Sequence, residues 1–108
     1  MNRIVIADDH PIISESVKNL LEQNLDCTVV AIVSSIDACE ELLAECKPDM
    51  LLLDVGLSDG NALDRLPAMI RICPEMHVLV FSCYGEPAVI KRSLECGASG
   101  YVLKDSPT

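Results

Sequence analysis

Two short, unbroken apolar runs, Ile4-Val5-Ile6-Ala7 and Met50-Leu51-Leu52-Leu53, each end in carboxylate: Asp8-Asp9 after the first, Asp54 after the second. Each run is too short and too continuous for an amphipathic helix, and both read as strands buried on two faces. Such strands belong to parallel sheets, whose ligand sites lie beyond the carboxyl ends of the strands. Three acids therefore converge at one edge, although about 45 residues separate Asp9 from Asp54. At an effective dielectric near 20, two carboxylates about 5 Å apart repel by roughly 3 kcal/mol. A cluster of this kind needs a cation.

The rest of the chain alternates in the same way. Strands are predicted over 3–7, 28–33, 49–53, 77–82 and 100–103, with helices over 12–24, 36–46, 63–73 and 87–96. Regular alternation of strand and helix gives a parallel sheet with right-handed crossovers and helices on both faces, a doubly wound α/β domain. Pro11 suits the first position of the first helix, where a missing amide costs nothing, and Ile13, Val17, Leu20 and Leu21 share one face. Ser34 followed by Asp37 resembles a capping box for the second helix. Pro67 either sits in the first turn of the third helix or kinks it. Pro87 opens the fourth, Ile90 and Leu94 lie one turn apart on it, and Gly97 suits the left-handed residue after its end.

With 108 residues the chain makes one domain. Seventeen acids against eight Lys and Arg leave a net charge of −9, the wrong sign for gripping a phosphate backbone, so direct nucleic-acid binding is not expected. The six cysteines, at 27, 39, 46, 73, 83 and 96, form no CxxC spacing and no zinc pattern. They read as small buried hydrophobes in a reducing cytoplasm, with Cys83 the exception. No apolar run approaches the roughly 20 residues of a membrane span. His10, in a loop before a helix, reads as polar surface, and His77 as a strand-entry residue without chemistry.

Two further groups complete the carboxyl edge: Ser82 at the end of the fourth strand, and Lys104 directly after the fifth, which contains Tyr101. In this ordered set the sequence resembles the receiver domain of two-component response regulators. The matching features are Asp8-Asp9, Asp54, Ser82, and Tyr101 with Lys104, followed by Asp105-Ser106. The likeness covers the chain except for the family's fifth helix, so residues 1–108 are expected to be a receiver ending before that helix. It implies the flavodoxin-like, CheY-like strand order 2-1-3-4-5. It also implies that Asp54 is the phosphoacceptor, taking a phosphoryl group from a phosphohistidine on a sensor histidine kinase. A carboxylate needs no deprotonation at neutral pH, so positioning and charge neutralisation carry the reaction. Mg2+ would be held by Asp9, Asp54 and the backbone carbonyl of Gly56, with Asp8 acting through water. Lys104 and Ser82 would contact phosphoryl oxygens, and Tyr101 would follow Ser82 as a switch.

The opening Ala7-Asp8-Asp9-His10-Pro11 is similar to receivers of the NarL/FixJ group, which carry a LuxR-type helix-turn-helix domain. DNA would then be bound only through a domain absent from these residues. Where the family usually has a proline and an Asp-Gly pair after the phosphoacceptor, this chain has Ser58, Asn61 and Ala62, which puts the conformation of that loop in question. Gly56 leaves access to Asp54 open, and Cys83 is small enough not to block it. Gly56 also stands where an aspartyl phosphatase places its general acid, so a turnover enzyme is not expected. A receiver-like module that is never phosphorylated is the other rival. With only the first helix expected on one face, a few hundred Å² of bare apolar surface, at about 25 cal/mol per Å², amounts to several kcal/mol. The bare face and the switch pair together point to a homodimer on activation.

Overall fold

Five parallel strands make the sheet among the described residues, which are 2–24, 26–82 and 87–103 of a computed structural model. In chain order the elements are β1 (Asn2–Ala7), α1 (Pro11–Asn24), β2 (Cys27–Val33), α2 (Ile36–Cys46), β3 (Met50–Leu53), β4 (Gly56–Leu57), β5 (Gly60–Asn61), a 3-10 turn (Ala62–Asp64), α3 (Leu66–Ile72), β6 (His77–Ser82), α4 (Pro87–Glu95) and β7 (Gly100–Leu103). The sheet runs β2-β1-β3-β6-β7. Setting aside the short antiparallel hairpin β4–β5, this is the predicted order 2-1-3-4-5.

Alternation along the strands sorts the core into two layers. Val5, Ala7, Leu51, Leu53, Val78 and Val80 pack with Ile36, Cys39 and Leu43 of α2 and with Leu66 and Met69 of α3. On the opposite face Ile4, Ile6, Val29 and Leu52 are covered by Val17 and Leu21 of α1. Among the described residues α1 is the only helix in that second layer, and Leu79 there is half-buried. In the edge strand β2, Val30 is an extra residue between the pairs Ile4↔Val29 and Val5↔Ala31, a bulge that disrupts the outer ladder.

Local expectations are met in part. Pro11 opens α1, and Pro67 lies in the first turn of α3, where it leaves no hydrogen bond unmade. The cap of α2 is Ser35 rather than Ser34: its side chain accepts from the Ala38 amide at 3.1 Å. The helix ends on Lys47 at φ 47°, a left-handed residue that is not glycine, and Pro48 follows. Leu20 is 59% exposed, because the buried face of α1 centres on Ser14, Val17 and Leu21 and leaves Leu20 at its margin. The inward face of α4 is likewise Val89 and Ser93, with Leu94 half exposed. Gly97 has φ 115° after α4, a conformation that disfavours side chains.

All five described cysteines are free thiols. Cys39 and Cys73 are buried, as expected, while Cys27, Cys46 and Cys96 are only half-buried. Burial pushes the Cys39 thiol up to about 12, helped by Glu40 and then Cys73, so it stays protonated and unreactive.

Candidate functional site

Asp8 and Asp54 are placed by the sheet itself. The Asp8 amide donates to the Val33 carbonyl at 2.9 Å and the Asp54 amide to the Ala7 carbonyl at 2.8 Å, so the hydrogen-bond ladders continue one residue past the strands. Both residues are buried, at 3% and 4% exposure, whereas Asp9 is exposed. His10 is exposed, in keeping with its reading as polar surface, and it also turns toward the acids. Its amide donates to Asp8 Oδ1 at 3.0 Å, an Asx-type turn that folds the ring back over the acids. Nδ1 then lies 2.9 Å from Asp8 Oδ1, 3.2 Å from Asp9 Oδ1 and 3.5 Å from Asp54 Oδ2. One donor atom from each of Asp8, Asp9, His10 and Asp54 falls within 4.8 Å of the others. The signal in the sequence was the histidine's place between an acid pair and a helix-opening proline.

Residues 4–108 match the family model of the response regulator receiver domain. The chain belongs to that family. It is 33% identical over 103 residues to the transcriptional regulatory protein DegU of Brevibacillus brevis, covering 95% of this chain and 44% of DegU. A LuxR-family two-component response regulator from Aurantimonas superposes with a TM-score of 0.91 at 29% identity, covering 98% of this chain and 76% of that one. The signal receiver domain of NarL from Mycobacterium tuberculosis gives 0.88 at 33% identity, covering 98% and 86%. The chain spans about half the length of the curated relatives it matches.

The remaining predicted residues of the receiver fall as follows. Tyr101 is half-buried in β7, in register with Val80, and packs against the larger core layer. Ser82 ends β6 opposite Leu103. Lys104 and Cys83 lie outside the described residues. Gly56 opens the hairpin, and a Cβ built on it would meet nothing within 4 Å. The donor set suits a hard divalent ion: three carboxylates, with the Gly56 carbonyl two residues beyond Asp54.

The loop that lacks the family's proline is held by side chains instead. Asp59 reaches the N-terminus of α2, accepting from the Ile36 amide at 2.7 Å and from the Asp37 amide at 3.2 Å. The Ser58 hydroxyl donates to the Ser34 carbonyl at 3.0 Å, and Asn61 accepts from the Leu63 amide at 2.9 Å to start the 3-10 turn. The Ile36 bond is the main reason that the Asp59 carboxyl lies below its ordinary value. A folded-state value below the unfolded one adds stability above the unfolded value, and this is lost as pH falls through the folded one. Asp59→Ala is therefore expected to destabilise the receiver at neutral pH, with the difference from wild type shrinking in acid. Urea unfolding at a series of pH values measures this, and a pH-independent difference would reject it.

Proposed function

We propose that this receiver is phosphorylated on Asp54 by a sensor histidine kinase and thereby controls a transcriptional output domain. The observation that carries the reading is the meeting of buried Asp54 with Asp8, Asp9 and His10 at the carboxyl edge of the sheet. An Asp54 oxygen attacks phosphorus, the phosphorus–nitrogen bond of the donor phosphohistidine breaks, and its imidazole leaves. Asp9, Asp54 and the Gly56 carbonyl would hold a divalent ion such as Mg2+, with Asp8 acting through water, and the ion would offset negative charge on the transferred group.

Ser82 ends β6 at the edge that carries Asp54, and Lys104 is the next residue in sequence after β7. In this reading the ammonium pairs with one phosphoryl oxygen and the hydroxyl donates to another. That new acceptor draws the Ser82 loop inward, and Tyr101 turns in behind it to change the surface of α4 and β7. Cys83, next in sequence after Ser82, is small enough not to block entry. The changed surface promotes a homodimer, and DNA is reached through a separate helix-turn-helix domain. Such a protein works in the cytoplasm; among the described residues no helix is long and apolar enough to cross a membrane.

The test is incubation with acetyl phosphate and Mg2+. A label on Asp54 that survives acid but is released by base and hydroxylamine is expected, whereas no label would favour a passive interaction module. Sedimentation before and after loading checks the dimer, which an unchanged monomer would reject.

A further inference from the structure

The Gly56 carbonyl belongs to a residue with no side chain to pack, and even a Cβ there would meet nothing within 4 Å, so the backbone of the hairpin β4–β5 alone sets its position. That hairpin consists of the pairs Gly56↔Asn61 and Leu57↔Gly60, and a two-stranded ribbon is marginal on its own even when longer. At its base the Ala62 amide donates to the Val55 carbonyl at 2.7 Å, between Asp54 and Gly56 in the chain. Its turn is fastened to α2. One Asp59 oxygen accepts from the Ile36 amide at 2.7 Å and the other from the Asp37 amide at 3.2 Å. The Ser58 amide and hydroxyl both donate to the Ser34 carbonyl, at 3.1 and 3.0 Å. With the Ser35 side chain taking the Ala38 amide, the first three amides of α2 are all bound, two of them by the hairpin. Asp59 does this without joining the acid cluster of Asp8, Asp9 and Asp54.

We propose that Asp59 is a positioning residue for the divalent ion: by fastening the hairpin to α2 it holds the Gly56 carbonyl in place as a ligand beside Asp54. The inference rests on the ion site of the proposed function and is independent of phosphoryl transfer. Mg2+ demands near-ideal octahedral geometry, so a carbonyl free to shift with its hairpin is a poor ligand. Residues that orient ligands without touching the metal are typically worth about ten- to a hundredfold in affinity.

The test uses the whole chain and Mg2+ alone, titrated by calorimetry under conditions where every variant is folded. Asp59→Ala is expected to weaken Mg2+ binding by about tenfold. Asp59→Asn loses the charge but keeps an oxygen for the Ile36 amide, and is expected to stay within about threefold of wild type. Val29→Ala, a truncation on the opposite face of the sheet, is expected to lower the urea midpoint and leave the affinity unchanged. Failure of the wild type to bind Mg2+, or equal affinity in wild type and Asp59→Ala, would overturn the proposal. So would equal losses in the Ala and Asn variants, the mark of a long-range charge effect, or a loss in Val29→Ala as large as in Asp59→Ala. Acetyl phosphate labelling in parallel is expected to be slow for Asp59→Ala at limiting Mg2+ and to recover at saturating Mg2+. Label on Asp54 with equal affinities leaves the phosphoacceptor reading standing without the positioning role. The expected loss of affinity with no label on Asp54 in any variant keeps the positioning role and removes the phosphoacceptor.

Discussion

Asp54→Asn is expected to erase the phosphoryl label and at the same time to make the metal-free protein more stable than wild type. The first effect follows because the amide cannot serve as the nucleophile. The second comes from charge. Donor oxygens of Asp8, Asp9 and Asp54 fall within 4.8 Å of one another, a separation at which like charges repel by roughly 3 kcal/mol at an effective dielectric near 20. After solvent screening a gain of about 1 kcal/mol is expected. Mg2+ should reverse the ranking: at 100 times its dissociation constant a bound ion adds about 2.7 kcal/mol, and the variant lacks one of the ligands that hold it. Thermal melts with and without Mg2+ decide the matter. A variant less stable than wild type in the absence of metal would mean that the carboxylates are not mutually strained.

The strands were legible because a run such as Met50-Leu51-Leu52-Leu53 admits few alternatives to a buried strand, and its position fixes where Asp54 emerges; their order came from the resemblance to receivers. The span of α2 was legible too, since Ile36, Cys39 and Leu43 keep helical spacing. What escaped was held through space. Asp59 caps a helix that begins 23 residues earlier in the chain, and no window of sequence contains both partners. The hairpin Gly56–Leu57 with Gly60–Asn61 has two residues per strand, too few to show a period. Its turn residues Ser58 and Asp59 bind Ser34 and the start of α2. The place of His10 beside the acids escaped for the same reason. Its own neighbourhood looks like a solvated turn, and only Asp54, brought up by β3, makes it part of a cluster.

Leu53→Ala should give the largest loss of stability among single substitutions near the site, and it separates the scaffold from the chemistry. Leu53 is fully buried at the end of β3, paired with Ala7 on one side and Val80 on the other. Truncating a leucine in such a place typically costs about 2–5 kcal/mol, against a total of about 5–15 kcal/mol for a domain of this kind. Ile12→Ser makes the contrast: Ile12 is 83% exposed, and a change there should stay within about 0.5 kcal/mol. Urea midpoints measure both. Since the Asp54 amide remains bonded to the Ala7 carbonyl, the acid keeps its place in those molecules that stay folded. The Leu53→Ala protein should therefore take up label in proportion to its folded fraction and recover as Mg2+ raises that fraction. A folded Leu53→Ala protein that takes up no label would instead show that packing beneath β3, and not only the ladder, aims the nucleophile.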